Sequence, residues 1–265
     1  MTLASCDSRK TAGENPFFTE WDTPHGVPPF DKILPEHFMP AFERGMSLHE
    51  AEIDAITSNK DEATFENTIL AYDNAGQMLA QTELVFGMLC AAETNDRMQA
   101  LQEQAMPLLA AHRDKIRLDD KLFVRVKEVY DRRAALGLDA EQMRLLQKTY
   151  DSFVRAGALL DAEQKARLKE INGQLSLTAV KFGNNILAEN NNFVLELKSD
   201  ELDGLPAGIR DAAREKAQQM GKGDKWVFTL HKPSLIPLLT YSTRRDLREK
   251  IYKAYLNRCN NGCLL

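Results

Sequence analysis

Apolar residues recur at spacings of three, four and seven along most of the chain. Phe65, Ile69, Tyr72, Leu79, Phe86 and Cys90 form one stripe, and Met98, Leu101, Ala105, Leu108, His112 and Ile116 form a second. Leu122, Phe123, Val126 and Tyr130 make a third, and Met143, Leu146, Tyr150, Phe153 and Leu160 a fourth. Leu168, Ile171, Leu175, Phe182 and Ile186 make a fifth, which runs into the polar stretch ENNN at 189–192. This is the period of a helix that buries one face. A proline inside a helix removes a hydrogen bond and crowds the preceding turn, so Pro107 predicts a bend in the second stripe. LDAEQ occurs at 138–142 and at 160–164. In both, an Asp followed three residues later by Gln reads as a capping box that starts a helix, not as an internal repeat.

The pattern changes after residue 190. FVLELK at 193–198 alternates apolar and polar residues as a half-buried strand does, and KWVFTL at 225–230 reads as a second strand. DGLPAG supplies turn chemistry between them, and 209–220 reads as a helix. From Pro233 the helical period returns in two pieces around Thr240–Thr243, ending in a stripe of Leu247, Ile251, Tyr252, Tyr255 and Leu256. The expected fold is mainly α, with long helices and a small two-stranded α/β insert near 193–230. The expected organisation is a signal remnant and polar tether over 1–14, a helical lobe over 15–190, the insert over 191–232, and further helices over 233–265.

The formal net charge of -5 weighs against a nucleic-acid partner, because phosphate binding needs clustered Lys and Arg. No apolar run approaches the roughly 18–20 residues of a membrane span. The four cysteines, Cys6, Cys90, Cys259 and Cys263, suggest no disulfide framework. Cys90 reads as a small buried apolar residue, and Cys259 with Cys263 lacks the further ligands a zinc site needs.

The remaining chemistry is sparse. His49-Glu50 begins as a zinc-peptidase helix does, but the second His of H-E-x-x-H is replaced by Ile53, which cannot ligate a metal. No two of His25, His37, His49, His112 and His231 stand three or four apart. His112, on an apolar stripe, reads as a hydrogen-bonded residue at the edge of the core, and His37 and His49 as solvated histidines near helix ends. GKGDK at 221–225 lacks the spacing of a phosphate loop and reads as a polar turn. Arg244, Arg245, Arg248 and Lys250 are interleaved with Asp246 and Glu249, as on a solvated, salt-bridged face. No catalytic residue and no metal ligand is assigned to this chain. LASC, Leu3 to Cys6, has the form of a lipobox and is followed by a polar tether. It predicts lipidation at Cys6 and a protein anchored on the periplasmic side of a bacterial membrane. A chance match would leave a polar tail on a cytoplasmic protein.

Two longer stretches carry more information. LPEHFMPAFERGM at 34–46 and ATFENTILAYDNAG at 63–76 resemble the opening of the thimet oligopeptidase family of zinc metallopeptidases. GLPAGIRDAAREKA at 204–217 and KWVFTLHKPSLIPLLTYSTRRDLREKIYKAYLNR at 225–258 are similar to its bacterial peptidyl-dipeptidase branch. The resemblance implies the N-terminal lobe of an almost wholly helical, two-lobed peptidase with a deep channel. Such an enzyme binds zinc through H-E-x-x-H and a downstream Glu in its C-terminal half. It removes C-terminal dipeptides from oligopeptides. The partners implied are oligopeptide substrates and that catalytic half, with a membrane only through a lipid anchor. On this resemblance the chain supplies channel wall and no zinc ligand, binds no zinc and is inactive alone. Its last residues depart from the family after Arg258, as a gene fragment, a frameshift or a genuine truncation would. The competing expectation is a non-catalytic helical scaffold that reuses the peptidase lobe.

Overall fold

The computed structural model describes residues 14–260. Cys6 and its tether, and Cys263, lie outside the described residues. The architecture is mainly α, with one small antiparallel sheet. Packing divides the chain into two units, Met1–Leu177 and Thr178–Leu265, and the division falls inside one long helix.

In the first unit, short 3-10 turns lead into α1 (Phe38–Ser58). A π-helical turn, Phe65–Leu70, and the short α2 (Ala71–Asp73) follow, then α3 (Gln77–Ala92), α4 (Asp96–Arg117), α5 (Asp120–Asp131) and α6 (Ala140–Arg155). α7 (Ala162–Asn192) then crosses into the second unit. The starts of these helices are written in side chains that accept otherwise unpaired backbone N–H groups. Asn95 caps α4, Asp119 caps α5, and Asp139 with Gln142 makes the capping box of α6. The Asp161–Gln164 box at the start of α7 is also formed.

Two apolar clusters fill this unit. One joins Phe38, Phe42, Leu79, Phe86 and Leu109, and the other joins Ile53, Ile69, Leu122, Val126, Leu146 and Phe153. The second is fastened by Arg125, which is buried on α5. Its guanidinium donates to the carbonyls of Asn59 and Asp61 at 2.9 and 3.1 Å and to Asn67 Oδ1 at 3.1 Å. Asn67 also completes a box with Thr64 at the start of the π turn. A buried cation is stable here because carbonyl and amide oxygens replace its water.

In the second unit, β1 (Leu195–Leu197) pairs antiparallel with β2 (Trp226–Phe228), with Leu195 opposite Phe228 and Leu197 opposite Trp226. Between them lies α8 (Ala207–Gln219), and α9 (Lys232–Tyr241) and α10 (Arg245–Leu256) follow. The alternation that predicted β1 is realised: Leu195 and Leu197 are buried and Glu196 is not. Both leucines join Phe228, Leu235, Leu238, Leu247 and Ile251 in one core.

Three details differ from the periodicity. In α4, which keeps Pro107 within its span, Leu109 rather than Leu108 enters the core. Positions 105, 108, 112 and 105, 109, 112 both satisfy helical spacing, so the period alone cannot choose between them. The α7 stripe is largely open, with Ile171, Leu175 and Phe182 exposed among the described residues. The α10 stripe is divided: Leu247 and Ile251 are buried, and Tyr252 and Leu256 are exposed.

Candidate functional site

The most chemically distinctive cluster lies in the first unit, where α1 meets α4. His49 is not near a helix end. It sits in the middle of α1, on the same stripe as Phe42, Gly45, Ile53 and Ile56, all of which are buried. His112 occupies the buried stripe of α4 and is 5% exposed. The two stripes bring His49 Nδ1 to 3.1 Å from His112 Nε2, across 63 residues of sequence. Spacing along one helix could not reveal the pair. The available signal was a histidine on the apolar face of each of two helices.

The surroundings fix its chemistry. His112 Nδ1 is buried without a hydrogen-bond partner and lies 3.5 Å from Glu50 Oε1. That carboxylate favours the tautomer with the proton on Nδ1, leaving Nε2 to accept from His49 Nδ1–H. Glu50 is itself engaged by Lys115 at 2.8 Å, and this hydrogen bond is the largest influence holding its carboxyl below the usual range. Burial pushes both imidazoles toward the neutral form, and for His49 the neighbouring His112 adds to the effect. Gly76 closes the other side with a left-handed φ of +75°. A Cβ there would stand 2.8 Å from His49 Nδ1, and the Gly76 N–H donates to Glu52 Oε2 at 2.7 Å.

Beside the pair is a cavity of 190 Å³, whose polar lining includes Tyr72, Glu83, Arg113 and Arg117. Burial raises the Glu83 carboxyl against the opposing pull of Arg113, and it raises the Tyr72 phenol against Arg117. The cluster can hold and exchange protons. It does not match a zinc centre, because only two imidazole nitrogens converge and Ile53 is buried where H-E-x-x-H has its second His. Among the described residues no group of three or more His, Cys, Asp or Glu could hold a metal ion.

The other candidates fall elsewhere. His37 is buried at the start of α1, with Nδ1 accepting from the Leu34 N–H at 3.1 Å, so it is not a solvated histidine. Cys90, expected to be buried, is partly buried against the cluster that holds Phe38 and Phe86, and desolvation raises its thiol. In the second unit a cavity of 370 Å³ lies between α8 and the end of β2, lined by Ile209, Ala213, Val227 and Phe228, with Lys216 and His231 as its basic groups. The GKGDK turn follows α8 and leads into β2, and its Asp224 pairs with Arg214 at 3.2 Å. In the basic run Arg244 pairs with Asp246 at 2.7 Å and Arg248 donates to the Ser242 carbonyl, while Glu249 is paired by Lys253 at 2.5 Å. Among the described residues no helix is long and apolar enough to cross a membrane.

Known proteins resemble this chain over nearly all of its length. It is 37% identical over 249 residues to dipeptidyl carboxypeptidase of Escherichia coli K12, which covers 94% of this chain and 37% of that protein. It is 34% identical to dipeptidyl carboxypeptidase of Salmonella typhimurium LT2, with the same coverage of both. It is 25% identical over 240 residues to oligopeptidase A of Escherichia coli K12, covering 90% of this chain and 35% of that protein. No family profile matches the chain. The chain spans little more than a third of the length of these relatives. Its alignment along almost its whole length with dipeptidyl carboxypeptidase and oligopeptidase A agrees with the resemblance of its motifs to the thimet oligopeptidase family.

Proposed function

We propose that this chain is the N-terminal, channel-wall portion of a zinc peptidyl-dipeptidase that removes C-terminal dipeptides from oligopeptides. The observation that carries the reading is the 37% identity to a dipeptidyl carboxypeptidase over 94% of the chain. In this reading a catalytic zinc, held by residues outside this chain, would supply Lewis-acid chemistry for peptide hydrolysis. Its ligands lie in a catalytic half outside these 265 residues, which contain no H-E-x-x-H. The role of this chain is to bound the peptide path and keep the reacting region away from bulk water. The exposed Ile171, Leu175 and Phe182 of α7 fit a face that packs against further protein.

The test is to read the coding DNA past codon 265 in all three frames. An H-E-x-x-H followed by a downstream Glu codon is the expected result. A stop followed by an unrelated gene would favour the helical scaffold instead. We further propose lipid attachment at Cys6 and a periplasmic, membrane-anchored location, supported by LASC and the polar tether behind it. With a complete export signal supplied, Cys6→Ser is expected to move the protein from the membrane to the soluble fraction. Unchanged fractionation would remove the anchor from the proposal.

A further inference from the structure

We propose that His49 and His112 form an acid-sensitive latch that holds α1 against α4 at neutral pH and releases it when both rings become protonated, opening the cavity beside them. The geometry supports this directly. Two imidazole nitrogens 3.1 Å apart can share one hydrogen bond only while one of them is an acceptor. When both rings are imidazolium, two N–H donors and two positive charges face each other at that distance. His112 is 5% exposed, so its ring cannot swing into solvent while α4 stays packed.

The charged surroundings give little relief. From α1, Glu50 faces His112 but already pairs with Lys115, and Glu52 bonds the Gly76 N–H. From α3, Glu83 borders the same cavity, with its carboxyl raised toward the neutral form by burial. From α4 come the cations Arg113, Lys115 and Arg117, and from α2 the Tyr72 phenol, which stays neutral in acid.

The direction follows from linkage. The folded pair binds protons less readily than free imidazoles do, so unfolding takes up protons. Stability is therefore complete above the ordinary histidine value of 6.5 and is lost as pH falls below it toward the lowered folded values. The folding equilibrium constant should drop roughly tenfold per pH unit for each proton withheld.

The experiment is urea unfolding of the full chain at pH 7.5, 6.5 and 5.5, beside the double variant His49→Gln, His112→Gln. His25, His37 and His231 remain in both proteins and serve as the background. The expected result is a fall in stability in the wild type that the double variant lacks. At pH 5.5 the amide protection factors, corrected for the slower intrinsic exchange in acid, should fall in 42–53 and 105–116 while those of α5 and α6 hold. Equal pH profiles in the two proteins would overturn the latch. So would stabilisation of the wild type by zinc ions at pH 7.5, reversed by chelator, because the pair would then be a metal site. If the double variant does not fold, the imidazole proton resonances of the wild type decide. Titration of both rings at the free-histidine value would overturn the proposal, and a downward displacement of both would support it.

Discussion

Replacing Gly204 with alanine is expected to destabilise the second unit by about 3 kcal/mol or more, the combined effect of left-handed backbone strain, a lost hydrogen bond and displaced packing. Gly204 has φ +82°, and an added Cβ would meet the Tyr241 carbonyl oxygen at 2.2 Å, Thr243 Cγ2 at 2.9 Å and Thr243 N at 3.0 Å. Two of these contacts are backbone, so no rotamer change removes them. The segment joining α9 to α10 must shift, and with it the Thr243 N–H bond to the Asp203 carbonyl at 3.2 Å. Gly183→Ala is the control. That glycine lies within α7 and a Cβ there meets nothing within 4 Å. Its expected effect is a gain of about 0.5–1 kcal/mol. Urea titration of both variants, with amide exchange of α9 and α10, distinguishes a local clash from a general intolerance of alanine. Equal stability of the two variants would show that the turn is not rigid.

Phe153→Ala is the second large effect, with an expected cost of about 3–5 kcal/mol to the first unit. Phe153 is fully buried, with ring centroids 5.3 Å from Tyr72 and 6.1 Å from Phe123. It therefore ties α6 to both α2 and α5. Removing the ring opens a cavity where three elements meet, and the backbone can close in from only part of its boundary. Such a loss is a large share of a total stability of about 5–15 kcal/mol. Leu108→Ala is the comparison: the side chain it shortens is 46% exposed, and its cost should stay within about 0.5 kcal/mol. The urea midpoints of the two variants test the difference. A Phe153→Ala protein as stable as Leu108→Ala would mean that this part of the core is not closely packed.

These two positions also show what the sequence can and cannot reveal. Phe153 was legible, because it follows Leu146 and Tyr150 at helical spacing and lands in the core as that stripe requires. Gly204 was legible as turn chemistry in DGLPAG, but its severity depends on Tyr241, which chain folding brings alongside. The same limit governs the histidines. His112 was placed correctly at the core edge from its own stripe. His49, expected as a solvated residue near a helix end, lies mid-helix, on the face that Phe42, Gly45, Ile53 and Ile56 mark as buried. Helix starts at Asp139 and Asp161 were readable because a capping box is local. Arg125 gave no local signal, because its acceptors lie about 60 residues earlier. The exposed α7 stripe shows the converse: periodicity identifies an apolar face without naming what covers it.

The π turn at Phe65–Leu70 makes its surroundings sensitive to the number of residues and not only to their identity. The Ala71 N–H reaches back to the Glu66 carbonyl, closing a ring that holds one residue more than an α turn. Glu66 is exposed, so changing its side chain should matter little. Deleting it is a different operation. The turn would tighten to ordinary α geometry and every residue beyond it would rotate by about 100° relative to Phe65. Ile69, fully buried, would leave the core, and Gly76 would no longer meet His49. This short segment should therefore accept substitution at its surface while rejecting a change in length, a constraint that alanine scanning would miss and single-residue deletion would expose.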